Sequence, residues 1–178
     1  MFKFIFILDK WGSESRKTYH KVKDKYKCTI YFEKGEDYYE GFEPIDENIY
    51  LHSDLTEEEI INSELLKNDS NFIFILRNNE MINDNIIELM DNYKNTYLPF
   101  YDAVYLPTKN IDRSKSIKKL KEEGKEVNYL GWINFPDEKA RILKSNSESG
   151  IEWMDGKPFY VKHTTSLLNE EFSVTKFL

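Results

Sequence analysis

Two stretches constrain the fold of this chain more than any others: residues 2–8 (FKFIFIL) and residues 71–76 (NFIFIL). Both are apolar almost without alternation, so a strand made from either must be covered on both faces. Such strands belong inside a parallel sheet with helices on each side. The first run breaks at Trp11-Gly12-Ser13, where Ser13 or Ser15 is placed to cap a helix reaching to about Tyr26. A second strand follows at 27–32 (KCTIYF). This strand–helix–strand succession calls for a right-handed crossover in an α/β sheet.

The remainder of the chain extends that pattern. Residues 35–46 read as a polar loop rich in Tyr and acids, and 48–52 as a short third strand. Thr56 caps a helix to about Lys67, and Glu59, three residues on, completes a capping box. The run at 71–76 ends in the polar break Arg77-Asn78-Asn79-Glu80. Residues 83–97 carry Ile86, Ile87, Leu89, Met90 and Tyr93 at helical spacing, 103–106 form a strand, and the charged segment 111–126 reads as a surface helix. In the last third, 141–144, 150–154 and 158–163 read as β segments. Asp155-Gly156 lies between the last two and is a strong hairpin signal. No repeat or linker interrupts the 178 residues. The expected fold is a single α/β domain over 1–178, a mostly parallel sheet flanked by helices with a β hairpin or meander behind it.

Composition narrows the function. A net charge of -7 excludes a globally basic protein that grips a nucleic-acid backbone. The single cysteine, Cys28, allows no internal disulfide and no cysteine-based zinc site, and within an apolar strand it reads as a buried structural thiol. The opening apolar run is far too short to span a bilayer and lacks the features of a signal peptide. No other run approaches membrane length, so a cytoplasmic location is expected. Four Arg against 21 Lys, with abundant Asn and Ile, point to an AT-rich bacterial or phage genome.

Familiar catalytic patterns are missing. There is no G-x-G-x-x-G, no phosphate-loop lysine motif and no H-E-x-x-H. His163-Thr164-Thr165 lacks the second H-x-T or H-x-S that a two-histidine phosphoesterase requires. In open parallel sheets, however, ligands bind beyond the carboxyl ends of the strands. Three polar clusters fall there, at 9–13, 33–37 and 77–80, as ligand-contacting loops or simply as solvated strand ends.

One resemblance gathers these pieces. Phe72-Ile73-Phe74-Ile75-Leu76-Arg77-Asn78-Asn79-Glu80 is followed by Asp102-Ala103-Val104-Tyr105-Leu106-Pro107 and Gly131-Trp132-Ile133-Asn134-Phe135-Pro136-Asp137. Then come Arg141-Ile142-Leu143-Lys144, Gly150-Ile151-Glu152-Trp153 and Val161-Lys162-His163. In order and spacing this half of the chain resembles the second half of family 2 glycosyltransferases with the GT-A fold. There, a buried strand ends in a D-x-D cluster, and a late hairpin leads to a histidine.

The resemblance implies a single GT-A-like, Rossmann-related sheet, a nucleotide-sugar donor and a carbohydrate or protein acceptor, with neither nucleic acid nor a transmembrane segment involved. It further implies a divalent cation, Mn or Mg, held by oxygen ligands to neutralise the leaving diphosphate. Carried onto this chain, the metal positions are Glu80 and His163, and the catalytic positions Asp137 and His163. Donor contacts fall to Asp9 and Glu33 at strand ends, to Arg77 and Asn79 in the D-x-D place, and to Arg141. Arg141 has a second reading as a structural ion pair with Asp137. Arg77 in the place of a metal-binding acid suits direct bidentate contact with phosphate. Lys139 stands where a neutral glutamine is frequent, and Thr164 where a glutamate usually follows the histidine. Trp132 and Trp153 are aromatic platforms suited to stacking on sugar rings. Two functions follow: sugar transfer from a nucleotide-sugar donor, or a catalytically degenerate member of the same fold acting as a binding or assembly module. A third reading, an unrelated α/β protein matching by chance, predicts a structure without the sheet-plus-hairpin arrangement.

Overall fold

The computed structural model describes residues 2–32, 49–51, 55–67, 69–112, 122, 124, 131–134, 139–145, 152–154, 157–159 and 163–178. The first strand, β1 (Phe2–Leu8), is buried along nearly its whole length. Helix α1 (Ser13–Val22) leads to β2 (Lys27–Phe32), and β3 (Ile49–Leu51) precedes α2 (Glu57–Lys67). Strand β4 (Phe72–Arg77), the short β5 (Glu80–Met81) and helix α3 (Asp84–Tyr93) follow. After a 3-10 turn come β6 (Ala103–Tyr105), β7 (Thr108–Ile111), β8 (Gly131–Asn134) and β9 (Ile142–Lys144). The chain closes with β10 (Glu152–Met154), β11 (Lys157–Phe159), β12 (Thr164–Ser166) and β13 (Val174–Phe177).

Seven strands make one mixed, mostly parallel sheet in the order β12-β6-β9-β4-β1-β2-β3. β1 lies between β2 and β4, parallel to both, and β3 extends the parallel run beyond β2. Because a strand alternates its faces, Phe2, Phe4, Phe6 and Leu8 join one core with Val22 of α1 and Ile86, Leu89 and Met90 of α3. Ile5 joins the other, with Ile60 and Ile61 of α2. In-register pairing of β1 with β4 sets Phe2 against Phe72 and Phe4 against Phe74, with ring centroids 5.1 and 5.2 Å apart. The protein is therefore mixed α/β, with helices on both faces of its sheet. No helix among the described residues is long and apolar enough to cross a membrane.

Several expectations need correction. The position before α1 is held by Gly12, with no side-chain cap, and Ser13 is already helical. α1 stops at Val22 because residues 23–26 turn Tyr26 back onto Phe2 and Phe4. α3 ends at Tyr93, and the chain then turns into the Pro-containing segment Leu98–Phe100. β9 is not part of a meander behind the sheet. It inserts antiparallel between β4 and β6, and Ile142 and Leu143, buried on opposite faces, suit such an interior position. Residue 111 ends a strand, β7, and most of the expected helix at 111–126 lies outside the described residues. The expected loop at 35–46 lies there too. The hairpin does form: β10 and β11 pair antiparallel with Met154 opposite Lys157, leaving two residues between them. Cys28 is buried, and burial pushes its thiol up to about 12.

A second, four-stranded sheet, β5-β13-β7-β8, sits beyond the carboxyl edge of the first. β6 runs on through Leu106 and Pro107 into β7, and β12 leads to β13, so one parallel pair is succeeded by another.

Candidate functional site

The winding of the large sheet locates the site. From β1 the chain steps outward through β2 to β3, then returns to place β4 on the opposite side of β1. The carboxyl ends of β1 and β4 thus flank the point where the winding reverses, the crevice that open α/β sheets use for ligands. β1 ends at Leu8, with Asp9 just beyond it, and β4 ends at Arg77, followed by the turn to Glu80.

Each residue of this turn is fastened to a different element. Asn78 exchanges two hydrogen bonds with Asp9: the Asp9 amide donates to Asn78 Oδ1 at 2.9 Å, and Asn78 Nδ2 donates to Asp9 Oδ2 at 2.9 Å. Asn79 adopts φ 61°, the left-handed region that asparagine tolerates, and its carbonyl accepts from the Phe177 amide of β13 at 2.9 Å. The Glu80 carboxylate accepts from the Arg77 amide and from both outer nitrogens of Arg141. Arg77 extends its guanidinium the other way, onto Glu57 at the start of α2, with Nε 3.0 and 3.2 Å from the two carboxylate oxygens. Lys139 Nζ reaches the same carboxylate at 3.3 Å. Burial alone pushes the Glu57 carboxyl up, but Arg77 and Lys139 together outweigh it and hold it below the usual glutamate range.

Behind the turn, between the two sheets, lies a cavity of about 230 Å³. Its cationic lining is Arg77, Lys139, Arg141 and Lys176, and its one lining carboxylate among the described residues is Glu80. Thr108, Asn110 and Asn134 complete the wall on the small-sheet side. Arg141 and Glu80 are both buried, and Arg141 also donates to Thr108 Oγ1 at 3.2 Å, so this pair belongs to the framework. Lys176 follows from the strand register: it stands opposite Glu80 on one side and Asn110 on the other. Among the described residues it has no ion-pair partner. Trp132, opposite Asn110 on the edge strand β8, is 51% exposed.

The sequence-predicted site residues divide by place. Asp9, Arg77, Asn79, Glu80 and Arg141 all come together at the carboxyl edge. Arg141 pairs with Glu80; its expected partner Asp137, like Glu33, lies outside the described residues. His163 is elsewhere. Its carbonyl accepts from the Asp102 amide at 2.6 Å, the Asp102 carbonyl accepts from the Lys144 amide, and Lys144 stands opposite Phe72 at the start of β4. His163 is therefore level with the amino end of β4, whose length of about 16 Å at ~3.3 Å per residue separates it from Arg77. The structure does not bring Glu80 and His163 to one metal.

The residues at the turn do not fit a divalent cation. Glu80 is neutralised by Arg141, the neighbouring positions carry Arg77 and Lys139, and no group of three or more His, Cys, Asp or Glu converges among the described residues. Sequence reasoning missed Glu57, Asn110, Asn134 and Lys176 as members of this site. No pattern in VTKF marks Lys176 from sequence; it falls on the face of Val174 only once β13 is seen to be a strand. A scan against protein-family models finds no match for this chain, and a search of curated proteins finds none either.

Proposed function

We propose that this chain is a GT-A-like glycosyltransferase that takes a nucleotide-sugar donor and passes its sugar to a carbohydrate or protein acceptor without a metal. The observation that carries this reading is the position of the Arg77–Glu80 turn. It ends the strand beside β1 where the winding reverses, and it opens onto a cation-lined cavity. Four of the segments that resemble family 2 glycosyltransferases follow one another along the chain as β4, β6, β8 and β9. The nucleoside lies towards Asp9 and the diphosphate towards Arg77, Lys139 and Lys176, whose charges offset the negative charge developing on the leaving group. Arg77 binds phosphate as a planar fork, in the role the resemblance gives to a cation.

A second reading has an observation of its own. The carboxylate lining the cavity, Glu80, is committed to Arg141, and His163 is at the far edge of the sheet. Neither is placed to deprotonate an acceptor beside the cavity, which favours a binding module on the same fold. Thermal unfolding with a panel of nucleoside diphosphates and nucleotide sugars, in EDTA or Mn²⁺, tests both readings. At ligand about 100 times Kd the expected rise in Tm is about 5–10 °C, equal with and without metal. No rise with any nucleotide overturns the first reading. A rise without release of nucleoside diphosphate from the matching nucleotide sugar selects the second.

A further inference from the structure

The charges around the cavity are unequally satisfied. Arg141 is neutralised by Glu80. Of the other three lining cations, Arg77 and Lys139 share one carboxylate among the described residues, Glu57, which lies outside the cavity lining, and Lys176 has no ion-pair partner among them. The Nη1 group of Arg77 and the ammonium of Lys176 have no protein acceptor among the described residues. In a chain of net charge -7, a concentration of unbalanced cations around one concave polar surface focuses a positive field there. The amides of Asn110 and Asn134 add neutral donors to the wall.

Size decides what enters. At about 230 Å³ the cavity is smaller than the roughly 300–1,000 Å³ that encloses a drug-sized ligand, so it holds a charged group and not a whole nucleotide sugar. The side chains of Glu57, Arg77 and Lys139 are 25%, 21% and 34% exposed, so their contacts are part-buried and open to solvent on one side only. Exchanging that carboxylate for another anion keeps the guanidinium paired and returns the Glu57 carboxylate to water, and a dianionic oxyanion offers the guanidinium fork more charge than a monoanionic carboxylate does.

We propose that the cavity is an oxyanion subsite for a diphosphate or phosphate group, in which Lys176 captures the ligand and the ligand displaces Glu57 from Arg77 and Lys139. Glu57 is then a resident counter-anion that keeps the empty site closed to monoanions and sets the threshold for binding. The assignment of this anion to the donor diphosphate rests on the glycosyltransferase reading; the subsite itself does not.

The test is calorimetric titration of sodium pyrophosphate, orthophosphate and acetate into the full chain in EDTA at fixed ionic strength. Wild type is compared with Lys176→Met and Glu57→Gln. Pyrophosphate binding is expected to weaken about tenfold or more in Lys176→Met, as for loss of a charge-assisted hydrogen bond, and to tighten about three- to tenfold in Glu57→Gln. Acetate is expected not to compete. Because Glu57→Gln also loosens α2, Tm without ligand is recorded for each variant. Lys176→Met removes no ion pair among the described residues, and it decides the question if Glu57→Gln fails to fold. Pyrophosphate affinity unchanged in Lys176→Met, or no pyrophosphate binding to wild type, overturns the subsite. If nucleoside diphosphates bind and are indifferent to Lys176→Met, the donor reading survives without this subsite. If pyrophosphate binds with the expected dependence and no nucleotide binds more tightly, the subsite survives without the donor reading.

Discussion

Arg141 is 3% exposed and its guanidinium rests on Glu80, Thr108 and the Ile75 carbonyl, whereas that of Arg77 is partly exposed and rests on Glu57. Burial separates the roles of these two arginines. Removing one partner of a buried ion pair strands the other charge and costs about 3–5 kcal/mol, whereas an exposed pair contributes about 0–1 kcal/mol. Arg141→Met alone is therefore expected to lower unfolding stability by about 3–5 kcal/mol in urea titration, and Glu80→Leu with Arg141→Met to recover most of that loss. A single substitution costing less than about 1 kcal/mol would sink the idea that this pair is a framework element. It would also return Arg141 to the set of residues open to ligand. Arg77, held more weakly, is the guanidinium that a ligand can take over.

At the scale of elements, helix α2 is tied to the large sheet by a buried charge cluster. Lys3 Nζ lies 2.8 Å from both Glu64 and Asp69, and Glu64 also accepts from Tyr31 Oη and from Lys67 Nζ, the latter at 2.7 Å. Burial pushes the Glu64 carboxyl up, but Lys3, Lys67 and Tyr31 more than offset it and leave it below the usual glutamate range. Glu57, at the start of the same helix, is lowered likewise. A lowered folded-state pKa contributes stability above the unfolded value and loses it as pH falls through the folded one. Tm is therefore expected to drop steeply below about pH 4.3 in wild type and less steeply in Glu64→Gln, which begins about 2–4 kcal/mol lower at about pH 7. Parallel pH profiles for the two proteins would remove Glu64 as a source of the acid sensitivity. Such a cluster is invisible in sequence, because Lys3 and Glu64 meet only through the fold. What sequence does carry is β1 and β4, whose nearly unbroken apolar runs have no stable home but a sheet interior, and β2 as the strand that follows α1. It carries the Thr56 cap as well, which accepts from the Glu59 amide at 3.2 Å. The insertion of β9 is not legible, since so short a strand specifies neither direction nor neighbour. The polar turn at 77–80 announces the site, but its partners Glu57 and Arg141 are 20 and 61 residues away from Arg77 and Glu80. β7 and β13, read as TKNI and VTKF, carry too little apolar pattern to declare themselves.

For the whole molecule, the two sheets depend on each other through β13. It is the strand that joins β5 to β7, its Val174 is buried in the main core, and its Phe177 amide fastens the carbonyl of Asn79. It also carries Lys176 into the cavity. The large sheet, by contrast, draws its order from β1 and β4 and from the Phe4–Phe74 layer, which β13 does not touch in the strand pairing. Removing residues 174–178 is therefore expected to dismantle the small sheet and free the turn while the large sheet persists. Amide hydrogen exchange is expected to accelerate about 100-fold or more at residues 77–81 and 108–111, the loss of several hydrogen bonds and a buried Val, with residues 4–6 and 74–76 still protected. Pyrophosphate binding should disappear in the truncated chain, well beyond the loss in Lys176→Met, because the cavity wall goes with the lysine. Equal acceleration throughout β1 and β4 would instead mean that the two sheets unfold as one unit. In that event the turn at the site is held by the global fold, with no local part for β13.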